Sequence, residues 1–300
     1  MPKNFAITGV AGYVAPRHLL AIKDTGNRLV AAVDPHDSVG ILDRHFFDVA
    51  YFREFERFDR HIDKLRRSNS GEKVDYVSIC SPNYLHDAHI RFALREAADA
   101  ICEKPLVLNP WNCDALQELE KESGKKVYTV LQLRLHPTVR ALKEKFSTGN
   151  TKHEVELKYI TSRGKWYLYS WKSDLEQSGG LATNIGIHFF DMLMWIFGPR
   201  VGSEVHTAGP TRTAGELELE RANVRWQLSI DRSDLPEVCG KDGQTTYRSI
   251  TIDGEEVEFS GGFTDLHTKV YENILAGGGF GIEDARPSIE LVQRIREQSG

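Results

Sequence analysis

The feature that most constrains this chain is an apolar strand that stops at a glycine turn and runs directly into a helix. Phe5-Ala-Ile-Thr-Gly-Val10 reads as a short buried strand. Gly9-Val-Ala-Gly-Tyr-Val-Ala15 follows, ahead of a helical pattern through Leu19, Leu20 and Ile22. Glycines at such a turn let the backbone approach a pyrophosphate, and the helix N-terminus supplies N–H groups and the positive end of a dipole. The spacing is G-x-x-G-x-x-A. Gly12 and Ala15 fit the second and third positions of the dinucleotide fingerprint G-x-G-x-x-G/A, and Val10 stands at the first.

The next segments narrow the reading. Leu29-Val-Ala-Ala-Val-Asp34 is a second buried strand, ending in an acid at about the ~20-residue spacing of a ribose-binding carboxylate. A carboxylate there accepts hydrogen bonds from the adenosine ribose and repels a 2′-phosphate, which favours NAD over NADP. Pro35 and His36 follow it, with no Arg beside it to welcome an extra phosphate. Without the glycines, Asp34 would read as a solvated acid at a strand end. Further on, the strand Val74–Cys80 ends at Ser81-Pro82-Asn83, a helix runs from His86 to Ala97, and the strand Asp99–Cys102 ends at Glu103-Lys104-Pro105. Strands alternating with helices predict a doubly wound parallel sheet, with ligands beyond the carboxyl ends of the strands. Gly12, Asp34, Pro82, Asn83, Glu103 and Lys104 all fall at such ends.

From about Tyr128 the pattern changes to period two: His153–Ile160, Gly215–Glu220, Val224–Ile230, and a strand pair from Thr246 to Phe259 turning at Asp253-Gly254. This predicts a large open, mostly antiparallel sheet covered by helices, the last helix running from Ile282 to Arg296 with Pro287 near its start. The expected division is a dinucleotide-binding domain at 1–125 and a substrate-binding and oligomerisation domain at 126–300, an α/β protein overall.

At 300 residues the chain is long enough for both domains. Its formal net charge of −5 and lack of a basic run argue against nucleic-acid binding, so an anionic substrate needs a local Arg/Lys cluster. Met1-Pro2-Lys3-Asn4 leads straight into the first strand, without the look of a secretory leader, and the other apolar stretches read as too short to cross a bilayer. Cys80, Cys102, Cys113 and Cys239 show no C-x-x-C spacing and read as the reduced thiols of a cytoplasmic protein.

The Glu103-Lys104-Pro105 turn, Ser81-Pro82-Asn83 with His86, Arg134-Leu-His-Pro137, and Gly179-Gly180 leading to Asn184-Ile-Gly-Ile-His188-Phe-Phe-Asp191 together resemble the glucose–fructose oxidoreductase, inositol dehydrogenase and rhizopine-catabolism family. The resemblance covers essentially the whole chain. It implies an N-terminal Rossmann domain, a C-terminal α/β domain, and dimer or tetramer assembly, the tetramer being favoured. Ile101–Asn112, Thr161–Tyr167 with Ser170-Trp-Lys172, and Thr264-Asp-Leu-His267 are similar to bacterial UDP-N-acetylglucosaminuronate 3-dehydrogenases of surface-polysaccharide (lipopolysaccharide O-antigen) pathways. That likeness implies a UDP-sugar substrate. With the strand-end placement, it sets NAD against Gly9, Gly12, Tyr13, Val14, Asp34, Ser81, Pro82, Asn83, His86, Glu103 and Lys104.

Oxidising a secondary alcohol requires hydride transfer to the nicotinamide and a group that removes the hydroxyl proton. Lys104 is the leading candidate, since burial and neighbouring positive charge lower a lysine pKa. Read without its context, it is a surface lysine before a turn. Asn184 and His188, four apart, share a face if the segment is helical. His188 alone would read as structural, and the family context raises it to a catalytic candidate. The family pattern has Asp where this chain has Asn184, which puts an Asp–His proton relay in doubt and leaves Asn184 and His188 to position the hydroxyl. Arg163, Lys165, Tyr167, Trp171 and Lys172 form a basic–aromatic run suited to a carboxylate or phosphate and a sugar or uracil ring; singly, each reads equally well as a snorkelling loop residue. Arg134 and His136 read either as lining the same site or as shaping a helix entry at Pro137. His86 and His89 lack a third ligand at suitable spacing, and no metal is assigned. Two other readings keep the cofactor: an inositol or simple-sugar dehydrogenase, and a non-catalytic NAD-binding sensor or scaffold.

Overall fold

The computed structural model describes residues 1–68, 71–149, 151–237, 239, 244–257 and 265–298. Its first half runs β1 (Asn4–Thr8), α1 (Ala15–Asp24), β2 (Arg28–Val33), β3 (Ala50–Phe52), α2 (Phe55–Arg67), β4 (Tyr76–Ile79), α3 (His86–Arg95), β5 (Asp99–Cys102), α4 (Pro110–Ser123) and β6 (Val127–Thr129). Then come α5 (Pro137–Phe146), β7 (His153–Thr161), α6 (Leu175–Ser178), α7 (Ile187–Phe197), β8 (Arg200–Ala208), β9 (Arg212–Leu219), β10 (Ala222–Ser229), β11 (Thr246–Ile252), β12 (Glu255–Glu256), α8 (Leu266–Leu275) and α9 (Ile282–Gln298).

The chain forms two compact units. The first holds Met1–Val107, Trp111–Gln132 and Asp265–Ala285; the second holds Leu108–Pro110, Leu133–Thr264 and Arg286–Gly300. A single cut near residue 125 therefore does not describe them. The departure lies at α8, whose Leu266, Val270, Tyr271 and Ile274 are all buried and fall on one helical face. That face belongs with the first sheet: α8 packs on α1, and the Tyr271 ring lies 5.7 Å from Phe5 of β1. Period-two and helical patterns reveal elements, but they do not reveal which core a late helix returns to.

In the first unit the strands order β3-β2-β1-β4-β5-β6, and each neighbouring pair is parallel. This is the doubly wound sheet predicted. Strand β3 was not anticipated: its three residues are all half-buried, too short to print a pattern. In the second unit the order is β12-β11-β7-β10-β9-β8, antiparallel except for the parallel pair β7–β10. Asp253 and Gly254 both have positive φ (53° and 84°), the backbone a two-residue hairpin turn needs. Glu258, Phe259 and Thr264, which the sequence reading also used, lie outside the described residues.

Helix α7 packs on this sheet, its Phe190 ring 5.3 Å from Trp226 and its Phe189 ring 4.7 Å from Tyr159. A Cβ on Gly186 would lie 2.5 Å from the Leu228 side chain, so the glycine sets how closely helix and sheet approach. The run Leu175–Phe197 corrects one expectation. It is 23 residues long with a hydropathy of 1.2, enough by length and composition to cross a bilayer. Within the fold, 78 % of that window is buried, as a core helix would be.

Arg134 and His136 serve structure here. The Arg134 guanidinium meets the Asp191 carboxylate through two bonds of 2.8 and 3.0 Å, both side chains being buried. His136 caps α5, its ring accepting the Thr138 N–H at 3.2 Å. Removing one partner of a buried ion pair strands the other charge. Asp191→Ala is expected to cost about 3–5 kcal/mol in urea unfolding, whereas a loss below about 1 kcal/mol would place the pair among weak surface bridges.

Candidate active site

Parallel pairing in the order β2-β1-β4-β5 puts Asp34, Gly9, Ser81 and Glu103 side by side, each just past the carboxyl end of its strand. Gly9 has φ +75°, and a Cβ there would lie 2.6 Å from the Cys80 carbonyl and Ser81 nitrogen. No other residue fits that turn without moving β4. Gly12 N donates to Gly9 O at 3.0 Å, and no side chain caps the start of α1. Helix N-terminus and glycine turn thus make the cradle that a pyrophosphate requires. Asp34 is buried, and its carboxylate accepts the Ala11 N–H at 3.0 Å and the His36 N–H at 2.9 Å. The loop is thereby tied to the acid that would read the ribose. Tyr13 is exposed, while Val14 and Pro82 are half-buried.

His86 joins two turns. Its Nδ1 lies 2.6 Å from Pro105 O and its Nε2 2.9 Å from Ser81 O. Both ring nitrogens face protein carbonyls, so its part is to hold the Ser81-Pro82-Asn83 turn against the Glu103-Lys104-Pro105 turn. Burial pulls it below the usual histidine range, against the lift from those carbonyls. His89 bonds Ser81 Oγ at 2.8 Å and stacks on Phe55. Burial, with some help from His86, lowers it to about 4.

The sequence reading missed a polar network beneath Lys104. Glu103 Oε1 lies 3.0 Å from His18 Nε2 and 2.9 Å from His267 Nε2, and Oε2 accepts the Lys104 backbone N–H at 3.2 Å. His18 Nδ1 lies 2.7 Å from the Tyr271 hydroxyl, which lies 2.6 Å from Ser78 Oγ. Burial pushes the Glu103 carboxyl up, but hydrogen bonds from His18 and His267 overcome it and hold the group well below the carboxylate range. Burial lowers His18 despite its bond to Glu103. Among the described residues, the atoms of His18, Glu103 and His267 are close enough together, within 4.8 Å, to hold a metal ion. Their 2.9 and 3.0 Å spacings are those of hydrogen bonds, and each bond has a donor and an acceptor without a cation. The signal was faint but present: His267 and Tyr271 sit four apart on one helical face.

The second unit gathers several of the other predicted residues. Asn184 donates to the Tyr167 hydroxyl at 2.7 Å. Burial raises the Tyr167 phenol, against the pull of Asn184 and Arg163. Tyr167 is buried, so its ring face is not open to stack on a sugar or uracil ring. Asn184 lies in a π-helical turn, Ala182–Gly186, and His188 in the first turn of α7. The two are related by a widened turn, a feature frequent at functional sites, rather than by one regular helix. Lys172 sits over the Trp171 ring at 5.0 Å. Burial and the Arg163 charge hold its ammonium below the usual lysine range. A half-buried ammonium beside a second cation is suited to an anion. Arg163 and Lys165 are exposed.

A glycine cradle on a parallel sheet, a ribose-type acid and a lysine at the fifth strand end define an NAD-binding oxidoreductase. The chain belongs to the glucose–fructose oxidoreductase, inositol dehydrogenase and rhizopine-catabolism family: the family's NAD-binding Rossmann domain matches residues 3–131, and its C-terminal alpha/beta domain matches residues 151–237. The WlbA (WbpB) dehydrogenase of Thermus thermophilus, in complex with NAD and alpha-ketoglutarate, is 55 % identical, with a TM-score of 0.94 over 98 % of this chain and 94 % of that one. Its complex with NAD and UDP-GlcNAcA is 54 % identical, with a TM-score of 0.93 over the same 98 % and 94 %. Inositol 2-dehydrogenase of Rhizobium meliloti is 26 % identical over 211 residues, 69 % of this chain and 59 % of that protein. The chain spans about half the length of the curated relatives it matches.

The buried neutral histidines give a pH prediction. Folded His89 resists protonation down to about 4, whereas the unfolded chain takes the proton near 6.5. The unfolded state then binds more protons, so stability is full above about 6.5 and falls as pH drops towards 4. His89 contributes about 2–3 kcal/mol of that fall, and His18 and His86 act in the same direction. Thermal melts from pH 7 to pH 4.5 should show a smaller decline in His89→Gln; parallel curves would remove His89 from the account.

Proposed function

We propose that this protein oxidises the C3 hydroxyl of UDP-N-acetylglucosaminuronate to the 3-keto sugar, with NAD as acceptor, in the biosynthesis of surface-polysaccharide (O-antigen) sugars. The observation that carries the reading is the joint presence of the glycine cradle with Asp34 and of a partly desolvated Lys172 ammonium, acted on by the exposed Arg163 and suited to the negative charge of a nucleotide-sugar acid. The UDP-GlcNAcA complex of the Thermus thermophilus relative supports the substrate.

When bound, NAD supplies the hydride acceptor. The chain supplies the rest. Gly9, Gly12 and the start of α1 bind the pyrophosphate, and Asp34 selects the unphosphorylated ribose. Lys104 takes the hydroxyl proton. Asn184, whose side-chain amide donates to the Tyr167 hydroxyl, positions a sugar hydroxyl. His188 helps position the same hydroxyl. Asn184 cannot carry a charge, so no carboxylate stands behind His188 at that position, and the proton load falls on Lys104. Arg163 and Lys172 take the carboxylate or diphosphate, with Lys165, Trp171 and Tyr167 as neighbours.

Lys104→Met is expected to lower kcat by at least about 1,000-fold while leaving the dissociation constant for NAD unchanged in a fluorescence titration. Near-normal turnover by this variant would discard Lys104 as the base.

A further inference from the structure

The established features do not use the buried cluster under Lys104. We propose that Glu103, clamped between His18 and His267, is a positioning residue for Lys104, and that Tyr271 and Ser78 lock the clamp in its working tautomer. The inference rests on Lys104 acting as the base.

Each bond has one sensible direction. Ionised Glu103 only accepts, so both Nε2 atoms must donate to it. His18 Nδ1 is then left as an acceptor, and the Tyr271 hydroxyl donates to it at 2.7 Å. Tyr271 in turn accepts from Ser78 Oγ at 2.6 Å. The chain Ser78 to Tyr271 to His18 to Glu103 closes with no donor left over, and it fixes His18 as the neutral Nε2–H form. Glu103 Oε2 holds the Lys104 backbone N–H at 3.2 Å, so the carboxylate clamps the peptide that carries the lysine.

The placement suits that task. His18 comes from α1, the helix that opens on the glycine turn; Glu103 from the end of β5; Ser78 from β4; His267 and Tyr271 from α8. His18, Glu103 and His267 are almost completely out of solvent. Burying a carboxylate this deeply beside a strand end is costly unless it is fully bonded. A simple helix-packing contact would be served as well by leucine. The charged and titratable neighbours are Arg17 near His18, Cys80 and Cys102 near Glu103, and His86 close to both Glu103 and Lys104. Glu103 supplies the carboxylate charge in this group, one peptide bond from the lysine.

The test uses the full-length protein, NAD and UDP-N-acetylglucosaminuronate, with kcat, KM, pH profile, NAD affinity and melting temperature read for each variant. Tyr271→Phe keeps the ring against Phe5 but frees the His18 tautomer. His267→Leu removes a donor, and His267→Gln restores an N–H of similar reach. Glu103→Gln keeps the volume and removes the charge. Tyr271→Phe, His267→Leu and Glu103→Gln are expected to lower kcat by about 10- to 100-fold, the cost of a misplaced catalytic group, with NAD affinity unchanged in Tyr271→Phe and His267→Leu. His267→Gln should recover most of the loss. In Glu103→Gln the acid limb of kcat should move to lower pH, because the lysine has lost a neighbouring negative charge. If Glu103→Gln does not fold, Tyr271→Phe and the His267 pair decide the matter. Parental kcat and pH profile in these variants, or losses that merely track the folded fraction, would overturn the proposal. So would a stoichiometric transition metal in the purified protein that is lost with His267→Gln. Should Lys104→Met also turn over normally, the fault lies with the base assignment; should it be inactive while the clamp variants are normal, the fault lies with the clamp.

Discussion

Parallel pairing of β1 with β2 on one side and β4 on the other is the constraint on which the first unit depends. Parallel neighbours must be joined by crossovers, so their carboxyl ends come out on one edge of the sheet. That geometry delivers residues far apart in sequence to adjacent places. Gly9 then admits only a hydrogen where any larger residue would strike the backbone at Cys80 and Ser81. The cofactor cradle follows from strand order plus one missing side chain.

Polar burial marks the next level of organisation, and each unit carries its own example. In the first, Glu103 is surrounded by His18, His267 and the Lys104 peptide. In the second, Arg134 and Asp191 neutralise one another beneath α5 and α7. Either cluster would destabilise its unit if incomplete, because an unpaired buried charge costs several kcal/mol. The two differ in where they stand. The Arg134–Asp191 pair joins a helix entry to a core helix, a structural position. The Glu103 cluster lies directly under the lysine assigned to chemistry, where a fixed backbone has functional value.

Much of the first sheet was legible because its strands are short apolar runs that end at glycine, acid or proline, each a local signal. Asp34 and the Glu103-Lys104-Pro105 turn could be placed at strand ends without coordinates. Strand β3 could not, since three half-buried residues carry no period. The return of α8 to the first unit was equally hidden: its apolar face is plain in sequence, but nothing local states which sheet it covers. The same non-locality concealed the bond from Tyr271 to His18, 253 positions away. In the second unit, Asn184 and His188 were read as one helical face from their spacing. The π turn at Ala182–Gly186 separates them, and a four-residue spacing alone does not reveal it. Arg134 and His136 admit two readings in sequence, and in the fold the Arg134–Asp191 ion pair and the His136 cap of α5 tie both into the packing of the second unit.

The central claim is that a nucleotide-sugar acid and NAD are the reactants, and a single-turnover absorbance measurement tests it most directly. NAD-loaded protein mixed with UDP-N-acetylglucosaminuronate should give a near-UV rise matching about one NADH per chain, with little from UDP-N-acetylglucosamine, which lacks the carboxylate, or from myo-inositol. No NADH from the acid sugar, or an equal burst from myo-inositol, would contradict the account.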